Sequence, residues 1–214
     1  MFHFTSFTGP NSGSAMADQM EAINLSNQAS AAMTQGRFGE SITLHQQALE
    51  LKLKSNPELC VRTGITYNGL GEALLRAGRL EEADDALSKA LAIREKEGPD
   101  QDISATRDNM GQLREAQGRF ADAKEVRLRG AGKKMIMCGY YDCPTHATLG
   151  LNKLSACSAC ESVFYCSKSC QRRDWVKRHK PLCEAYQAVL QATKVPDTKS
   201  TEQADSQSPD KQSK

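Results

Sequence analysis

Apolar residues recur at helical spacing from about residue 16 to residue 130, with polar residues between them. In the stretch from 70 to 91 the apolar stripes fall at Leu70, Leu74, Leu80, Leu87, Ala90 and Leu91. Spacing of this kind is typical of amphipathic helices. Residues 1–15 and 196–214 lack the pattern, and the second segment has no large apolar residue, so we expect both ends to be disordered.

The helical region also repeats itself with a period of about 40 residues. A Gly-Arg step followed by Phe or Leu begins at Gly36, Gly78 and Gly118, which are 42 and 40 residues apart. Glycine readily takes the left-handed conformation that ends a helix, so each step predicts a turn between two helices. The fixed period predicts stacked helix pairs, and a plain helical bundle is the alternative. The breaks expected between pairs are Asn56-Pro57 and Gly98-Pro99.

This region resembles tetratricopeptide repeats, in the long-loop form found in kinesin light chains. The first repeat has His45 where the second has Leu87, and the third has Arg127 there, so its second helix is expected to be a reduced cap or a linker. The resemblance implies a groove, lined by the first helix of each repeat, that binds an extended peptide or a partner helix. Asn68 and Asn109 lie on those helices and are the candidate groove residues, although solvated surface amides are an alternative.

A cysteine-rich segment follows the repeats. Seven of the eight cysteines fall within 46 residues, and one histidine completes the series of candidate ligands. In order they are Cys138, Cys143, Cys157, Cys160, Cys166, Cys170, His179 and Cys183. Clustered cysteines in a reducing compartment are metal ligands more often than disulfides. Eight soft ligands make two closed tetrahedral sites, so the spacing predicts two structural Zn²⁺ ions per chain and no catalytic metal.

The runs 164–175 and 179–183 resemble the MYND finger almost residue for residue, and the histidine is seventh among the eight ligands. The resemblance implies an interleaved cross-brace. One zinc would be held by Cys138, Cys143, Cys166 and Cys170, and the other by Cys157, Cys160, His179 and Cys183. The first cysteine pair is wider than the usual spacing of two residues, which leaves Asp142 and His146 as alternative ligands.

MYND fingers bind short proline-containing peptides of the PxLxP kind, and the matching positions here are Ser158, Gln171 and Trp175. Gln171 and Trp175 are one turn apart on a helix predicted from Lys168 to about Lys180. An indole ring beside an amide suits proline, because the ring packs on the pyrrolidine while the amide binds the backbone. Residues 163–165 predict a short strand whose exposed edge accepts the peptide. Alternatively, the single Trp fills a small core.

Charge is distributed unevenly along a chain of net charge +2. Residues 131–183 contain nine Lys or Arg and three Asp or Glu. The basic face predicted for the finger helix consists of Lys168, Arg172, Arg173, Lys177, Arg178 and Lys180. Such a face suits the phosphates of a nucleic acid, which makes a nucleic-acid-associated transcriptional regulator an alternative function. A solvated helix face explains the same residues, and no second aromatic residue accompanies Trp175 for base stacking.

The sequence shows no run of 18 apolar residues and no basic, apolar secretory signal at its start. We therefore expect an intracellular protein of the nucleus or cytoplasm, without a membrane partner. Cys60 lies alone in the repeats and is expected to be a small core residue.

The sequence thus predicts a mainly α protein: a helical-repeat solenoid followed by a small two-zinc finger with short strands and a helix. The predicted parts are a disordered N-terminus (1–15), the repeats (16–130), the finger (135–183), a C-terminal helix (184–195) and a disordered tail (196–214). The predicted function is a zinc-binding adaptor for protein partners, not an enzyme. A relative of SET-type lysine methyltransferases is a further hypothesis, because MYND fingers are often embedded in them, but no β-rich stretch remains for their catalytic domain.

Overall fold

The described part of the repeat region consists of six helices in three antiparallel pairs. The structure, a computed structural model, describes residues 12–55, 60–146 and 148–193. The helices are α1 (Ser12–Thr34), α2 (Phe38–Ser55), α3 (Val61–Arg76), α4 (Leu80–Glu97), α5 (Asp100–Ala116) and α6 (Phe120–Leu128). Because α1 begins at Ser12, the end of the segment expected to be disordered is helical. Residues 1–11, the Asn56-Pro57 break and the tail from 194 onward lie outside the described residues.

The turns within the three pairs are built alike, as the repeated Gly-Arg step predicted. Gly36, Gly78 and Gly118 have φ angles of 74°, 76° and 75°. At the second turn, Gly78 N–H donates to the Leu75 carbonyl at 3.1 Å and Arg79 N–H donates to the Leu74 carbonyl at 2.9 Å. These two hydrogen bonds satisfy carbonyls in the last turn of α3. They require a residue in the left-handed conformation, which glycine adopts without steric cost.

One apolar core runs through all three helix pairs. Its side chains come from α2 to α6 and include Leu74, Leu87 and Leu113, each at most 2% exposed. Close packing of α3 on α4 depends on Gly71, where an added Cβ would lie 2.6 Å from Leu87 Cγ. The apolar stripe read from the sequence is therefore the contact surface between helices.

The second helix of the third pair is short, and the finger begins directly after it. Helix α6 has nine residues, whereas α2 and α4 have 18 each. Two antiparallel hairpins follow, in which β1 (Ile136–Met137) pairs with β2 (Thr148–Leu149) and β3 (Ser155–Ala156) pairs with β4 (Phe164–Tyr165). Two-residue strands bury little apolar surface, so this segment needs other sources of folding free energy.

A nearly continuous helical segment closes the described part of the chain. It consists of α7 (Lys168–Asp174), a wide π turn over Trp175–His179 and α8 (Lys180–Ala192). Ser167 caps α7, because its hydroxyl accepts the backbone N–H of Cys170 at 3.1 Å. The C-terminal helix expected at 184–195 is thus the continuation of the finger helix. It begins at Lys180 and carries the ligand Cys183.

The finger packs against the third helix pair. The ring of Phe120, at the start of α6, stacks on the Tyr186 ring of α8 with centroids 4.3 Å apart. On α5, the Ser104 hydroxyl donates to the Met135 carbonyl at 2.9 Å. Phe120 is 2% exposed and belongs to the core of the finger, so the two parts share a buried surface. None of the helices described is long and apolar enough to span a bilayer.

Candidate metal centre and interaction surfaces

The first ligand cluster joins the start of the finger to the start of α7. The Sγ atoms of Cys143 and Cys166 are 3.6 Å apart, those of Cys166 and Cys170 are 3.6 Å apart, and those of Cys170 and Cys143 are 3.8 Å apart. Cys138, directly after β1, completes the group, and all four sulfur atoms lie within 4.8 Å of one another. The wide first pair therefore still directs both thiols to one point.

Neither alternative ligand belongs to this cluster. The Asp142 carboxylate accepts a hydrogen bond from Lys177 Nζ at 2.6 Å. His146 is exposed, and its backbone has a positive φ of 41°. Both residues lie in the loop that carries Cys143, but their side chains are not among the grouped donor atoms.

The second cluster consists of Cys157, Cys160, His179 and Cys183, all of them buried. The first two cysteines flank a tight turn after β3, and the other two ligands lie on the π turn and α8. His179 Nε2 is 3.4 Å from Cys160 Sγ, and Cys157 Sγ is 4.0 Å from Cys183 Sγ. The two clusters interleave along the chain, which is the grouping that the MYND resemblance implies.

Both donor sets fit Zn²⁺. Each offers four soft ligands, four thiols in one case and three thiols with an imidazole in the other, as structural zinc prefers. The chain thus provides two zinc sites, as its sequence predicted. Zinc ions held by four protein ligands each would have no open position for a substrate and would supply folding free energy.

In each cluster the pKa of one thiol is lowered, whereas the hydrogen bond with Cys157 raises the pKa of Cys160, and burial raises the pKa values of Cys138, Cys170 and Cys183. A hydrogen bond from Cys160 lowers the pKa of Cys157 to about 3. In the first cluster burial raises the pKa of Cys143, but hydrogen bonds from Thr145 and neighbouring thiols lower it more, to about 7. A thiolate that is already present at neutral pH binds a cation without first losing a proton.

Buried ion pairs join the third repeat to the finger. Glu115 of α5 accepts hydrogen bonds from Arg127 of α6 and, at 2.6 Å, from Arg178 of the finger. Arg127 also donates to Asp108 Oδ1 and to the Ser162 carbonyl, both at 2.8 Å. Burial raises the pKa of Glu115, but the positive charges of Arg127 and Arg178 lower it more, so this carboxylate remains ionised.

The ion pairs continue into the finger itself. Arg178 donates to both carboxylate oxygens of Asp174, at 2.9 and 3.2 Å, and the Tyr165 hydroxyl donates to Asp174 at 2.8 Å. Sequence reasoning placed Arg178 on a basic face and treated Arg127 as a departure from the repeat pattern. The sequence signal for this network was Arg127, which stands where the second repeat has an apolar residue. An arginine that is buried at such a position needs carboxylate partners.

The two candidate groove residues lie side by side, because Asn109 Nδ2 donates to Asn68 Oδ1 at 3.3 Å. They line a cleft of about 470 Å³ whose opposite wall is the loop between Cys138 and Cys143. From that loop, the Tyr141 ring lies 4.1 Å from the guanidinium carbon of Arg76 on α3. The finger thus forms one wall of the repeat groove, which sequence reasoning did not foresee.

Each of the three candidate peptide-binding residues lies next to a zinc ligand: Ser158 follows Cys157, Gln171 follows Cys170, and Trp175 packs on His179. Trp175 is half-buried, and its ring meets the His179 ring edge-on with centroids 5.8 Å apart. Gln171 lies one turn earlier and is also half-buried, while Ser158 is exposed directly after Cys157. Ser158 lines a cleft of about 330 Å³ that helix α6 also borders, and neither Gln171 nor Trp175 lines that cleft.

The strand at 163–165 does not offer the free edge expected for a peptide. On one side, Cys157 N–H donates to the Val163 carbonyl at 2.9 Å. On the other side, Gly139 N–H donates to the Phe164 carbonyl at 2.8 Å. The expectation that a peptide pairs with this strand is therefore wrong, because the first knuckle covers the edge opposite β3.

The basic face is partly neutralised. Lys177 pairs with Asp142, Arg178 with Glu115 and Asp174, and Lys180 with Glu184. Half of the six residues predicted to form the face thus have acidic partners, which weakens the case for binding phosphates.

Cys60 is also not the core residue that was expected: it is half-buried, precedes α3 and lines a cleft between α1 and α3.

The fold and the donor sets define the class: a helical-repeat protein that carries a structural zinc finger. The tetratricopeptide repeat model matches residues 20–96 and 62–126, which together span 107 of the 214 residues, and the MYND finger model matches 134–183. The chain belongs to the tetratricopeptide repeat family and carries a MYND finger, and is thus a zinc-binding protein-interaction module. Searches of curated proteins and of solved structures found no significant match.

Proposed function

We propose that this chain is an adaptor whose finger binds a short proline-containing peptide at Trp175, with Gln171 and Ser158 as polar partners. The observation that carries the proposal is the placement of Trp175. Its ring packs on the zinc ligand His179, so the metal site holds it, yet it remains partly exposed. A rigid, partly exposed aromatic ring suits proline binding, since little side-chain entropy is lost when the peptide docks.

The repeats supply a second surface in this proposal. The cleft beside Asn68 and Asn109 combines amide groups with the Tyr141 ring of the finger loop. Amides of this kind hydrogen-bond the backbone of an extended segment, so a second protein partner would contact the repeats and the finger together. Both modules are typically non-catalytic, and we propose no catalytic role. None of the eight cysteines, all of which the structure describes, forms a disulfide, which suits a reducing, intracellular setting.

Titration calorimetry on the full chain tests the peptide site. The probe is a synthetic PxLxP peptide, and a version with both prolines changed to alanine serves as the negative control. Trp175→Ala should weaken binding by about thirtyfold, since removing a packed aromatic anchor costs about 2 kcal/mol. Val176→Ala is the matched control, because Val176 is the next residue and is 78% exposed.

Zinc content separates a binding role for Trp175 from a structural one. Trp175→Ala should keep two zinc ions while it loses peptide affinity. Charge reversal at Arg172 and Arg173 should act mainly on the association rate and its salt dependence. Normal peptide binding by Trp175→Ala, or loss of its zinc, would mean that Trp175 belongs to the core and that the peptide site is elsewhere.

A further inference from the structure

A carboxylate of the repeats faces a zinc ligand of the finger. His179 directs Nε2 into the second cluster, 3.4 Å from Cys160 Sγ. Its other ring nitrogen, Nδ1, lies 3.5 Å from Glu115 Oε2 on α5. Both side chains are completely buried, and among the residues that the structure describes Nδ1 has no closer hydrogen-bond partner.

The chemistry of a ligating imidazole makes this contact significant. A neutral imidazole carries one proton, and when Nε2 binds a metal the proton is on Nδ1. A buried N–H without an acceptor is unfavourable, because it has lost its hydrogen bonds to water without replacement. Glu115 Oε2 is the acceptor that faces this N–H, and closing 3.5 Å to a hydrogen bond needs only a small movement of the ring.

We propose that Glu115 is a positioning residue for the second zinc site, so that docking of the repeats raises the zinc affinity of the finger. A carboxylate on the far nitrogen of a ligating histidine fixes the tautomer and the ring orientation and makes the ligand more basic. Here the carboxylate belongs to the helical repeats, and it precedes the ligands Cys160, His179 and Cys183 by 45 residues or more. Zinc binding by the finger is thus linked to its contact with the third repeat.

The surroundings of Glu115 hold it in place. Its Oε1 is bonded by Arg127, and its Oε2 by Arg178 Nη1 at 2.6 Å. Arg127 is fixed in turn by Asp108 and by the Ser162 carbonyl, two residues after the ligand Cys160. With both oxygens occupied and the side chain buried, the carboxylate has little freedom to turn away from His179.

The first zinc site provides an internal reference. Its ligands are four cysteines, so no imidazole there needs an outer acceptor. A change at Glu115 should therefore weaken one site and leave the other unchanged, whereas general loss of folding would affect both. Asp108 provides the matched control, because it is a buried carboxylate of the same network that bonds Arg127 and Gln112 but not His179.

The test compares the full chain with its Glu115→Gln and Asp108→Asn variants. Zinc release to a chromophoric chelator should show one of the two ions bound about tenfold to a hundredfold more weakly in Glu115→Gln. Asp108→Asn should weaken zinc binding much less, because Arg127 keeps its bonds to Glu115 and to the Ser162 carbonyl. Nitrogen-15 NMR of the imidazoles assigns the effect to His179, since the chain has four histidines. Equal zinc affinity in Glu115→Gln, or equal weakening in both variants, would overturn the proposal.

A measurement on the unmodified chain keeps the proposal testable if Glu115→Gln does not fold. With zinc bound, the Nδ1 proton of His179 should be visible and protected from exchange with water, as expected for a buried donor on a carboxylate. A metal-bound Nδ1, or an Nδ1 proton that exchanges as in exposed imidazole, would overturn it.

Discussion

The guanidinium of Arg127 lies directly against Gly111: a Cβ added to Gly111 would be 2.5 Å from Arg127 Cζ. The second repeat has Gly71 against Leu87 in the same places, with a Cβ-to-Cγ distance of 2.6 Å. The third repeat therefore keeps the close approach of two helices but fills it with a cation instead of an apolar side chain. That cation binds Glu115 and the Ser162 carbonyl, so the exchange creates the attachment point of the finger.

Restoring the repeat pattern with Arg127→Leu should destabilise the protein. The change leaves Glu115 and Asp108 buried with fewer cationic partners, and breaking a buried ion pair on one side costs about 3 to 5 kcal/mol. Urea unfolding followed by circular dichroism measures the effect. Arg129→Leu is the control, because its pair with Glu125 is exposed and should contribute less than about 1 kcal/mol. Equal stability of the two variants would contradict a structural role for Arg127.

Gly111→Ala should also destabilise, since the new methyl group displaces the Arg127 guanidinium from its carboxylates. Overpacking of this kind costs about 1 to 3 kcal/mol. Gly39→Ala, in α2, provides the comparison, because a Cβ there meets no atom within 4 Å. It should be neutral or stabilising by up to about 1 kcal/mol, through the lower flexibility of alanine. Thermal unfolding of the two variants distinguishes these outcomes.

His45 should make the repeats sensitive to mild acid. Burial, followed by the charge of Lys52, lowers its pKa from 6.5 to about 4, so the folded state keeps it neutral. Below pH 6.5 the unfolded chain binds the proton more readily, and stability falls by up to about 3 kcal/mol as the pH approaches 4. His45→Leu, the residue type at the equivalent position in the second repeat, should remove this part of the pH dependence.

The test measures the unfolding free energy of the parent chain and of His45→Leu at each pH and compares the two values. Acid also releases zinc from the finger, but that loss is common to both chains and cancels. The two curves should run parallel above pH 6.5 and diverge between pH 6.5 and 4. Parallel curves throughout would show that His45 is not held neutral by the fold.

Elemental analysis of the purified protein should find two zinc ions per chain, one for each cluster of four ligands. Cys166→Ser and Cys157→Ser should each lower the content to about one, since three ligands bind far more weakly than four. The helices of the repeats should persist in both variants. A folded, reduced parent chain with one zinc ion or none would contradict the two-site assignment.

Local chemistry explains why much of the fold was predictable from the sequence. The left-handed turns at Gly36, Gly78 and Gly118 depend on residues adjacent in the chain, and the period of the apolar stripe is a property of the helix itself. The zinc ligands were predictable for a similar reason. Pairs such as Cys157 and Cys160 occupy one tight turn, and few other residue types serve a structural metal.

Several features could not be predicted because they depend on which surfaces meet. The edge of β4 reads as exposed in the sequence, but Gly139 covers it from 25 residues away. In the sequence Arg127 is only a departure from the repeat pattern. The structure explains it, because Arg127 binds Glu115, Asp108 and the Ser162 carbonyl. The start of α1 at Ser12 also differed from expectation, because Ser and Gly residues without periodicity gave no helical signal there.

The sequence by itself determined the class of this protein: stacked helix pairs, two zinc sites and the eight side chains that form them. Turn conformation, helical periodicity and ligand spacing are all set by neighbours along the chain. Only the tertiary structure decided that the finger forms one wall of the repeat groove and that Glu115 faces His179. Both relationships join residues that are distant in the chain, and Glu115 and His179 are more than 60 positions apart. The burial of charge that makes their contact energetically important exists only after the two units pack together.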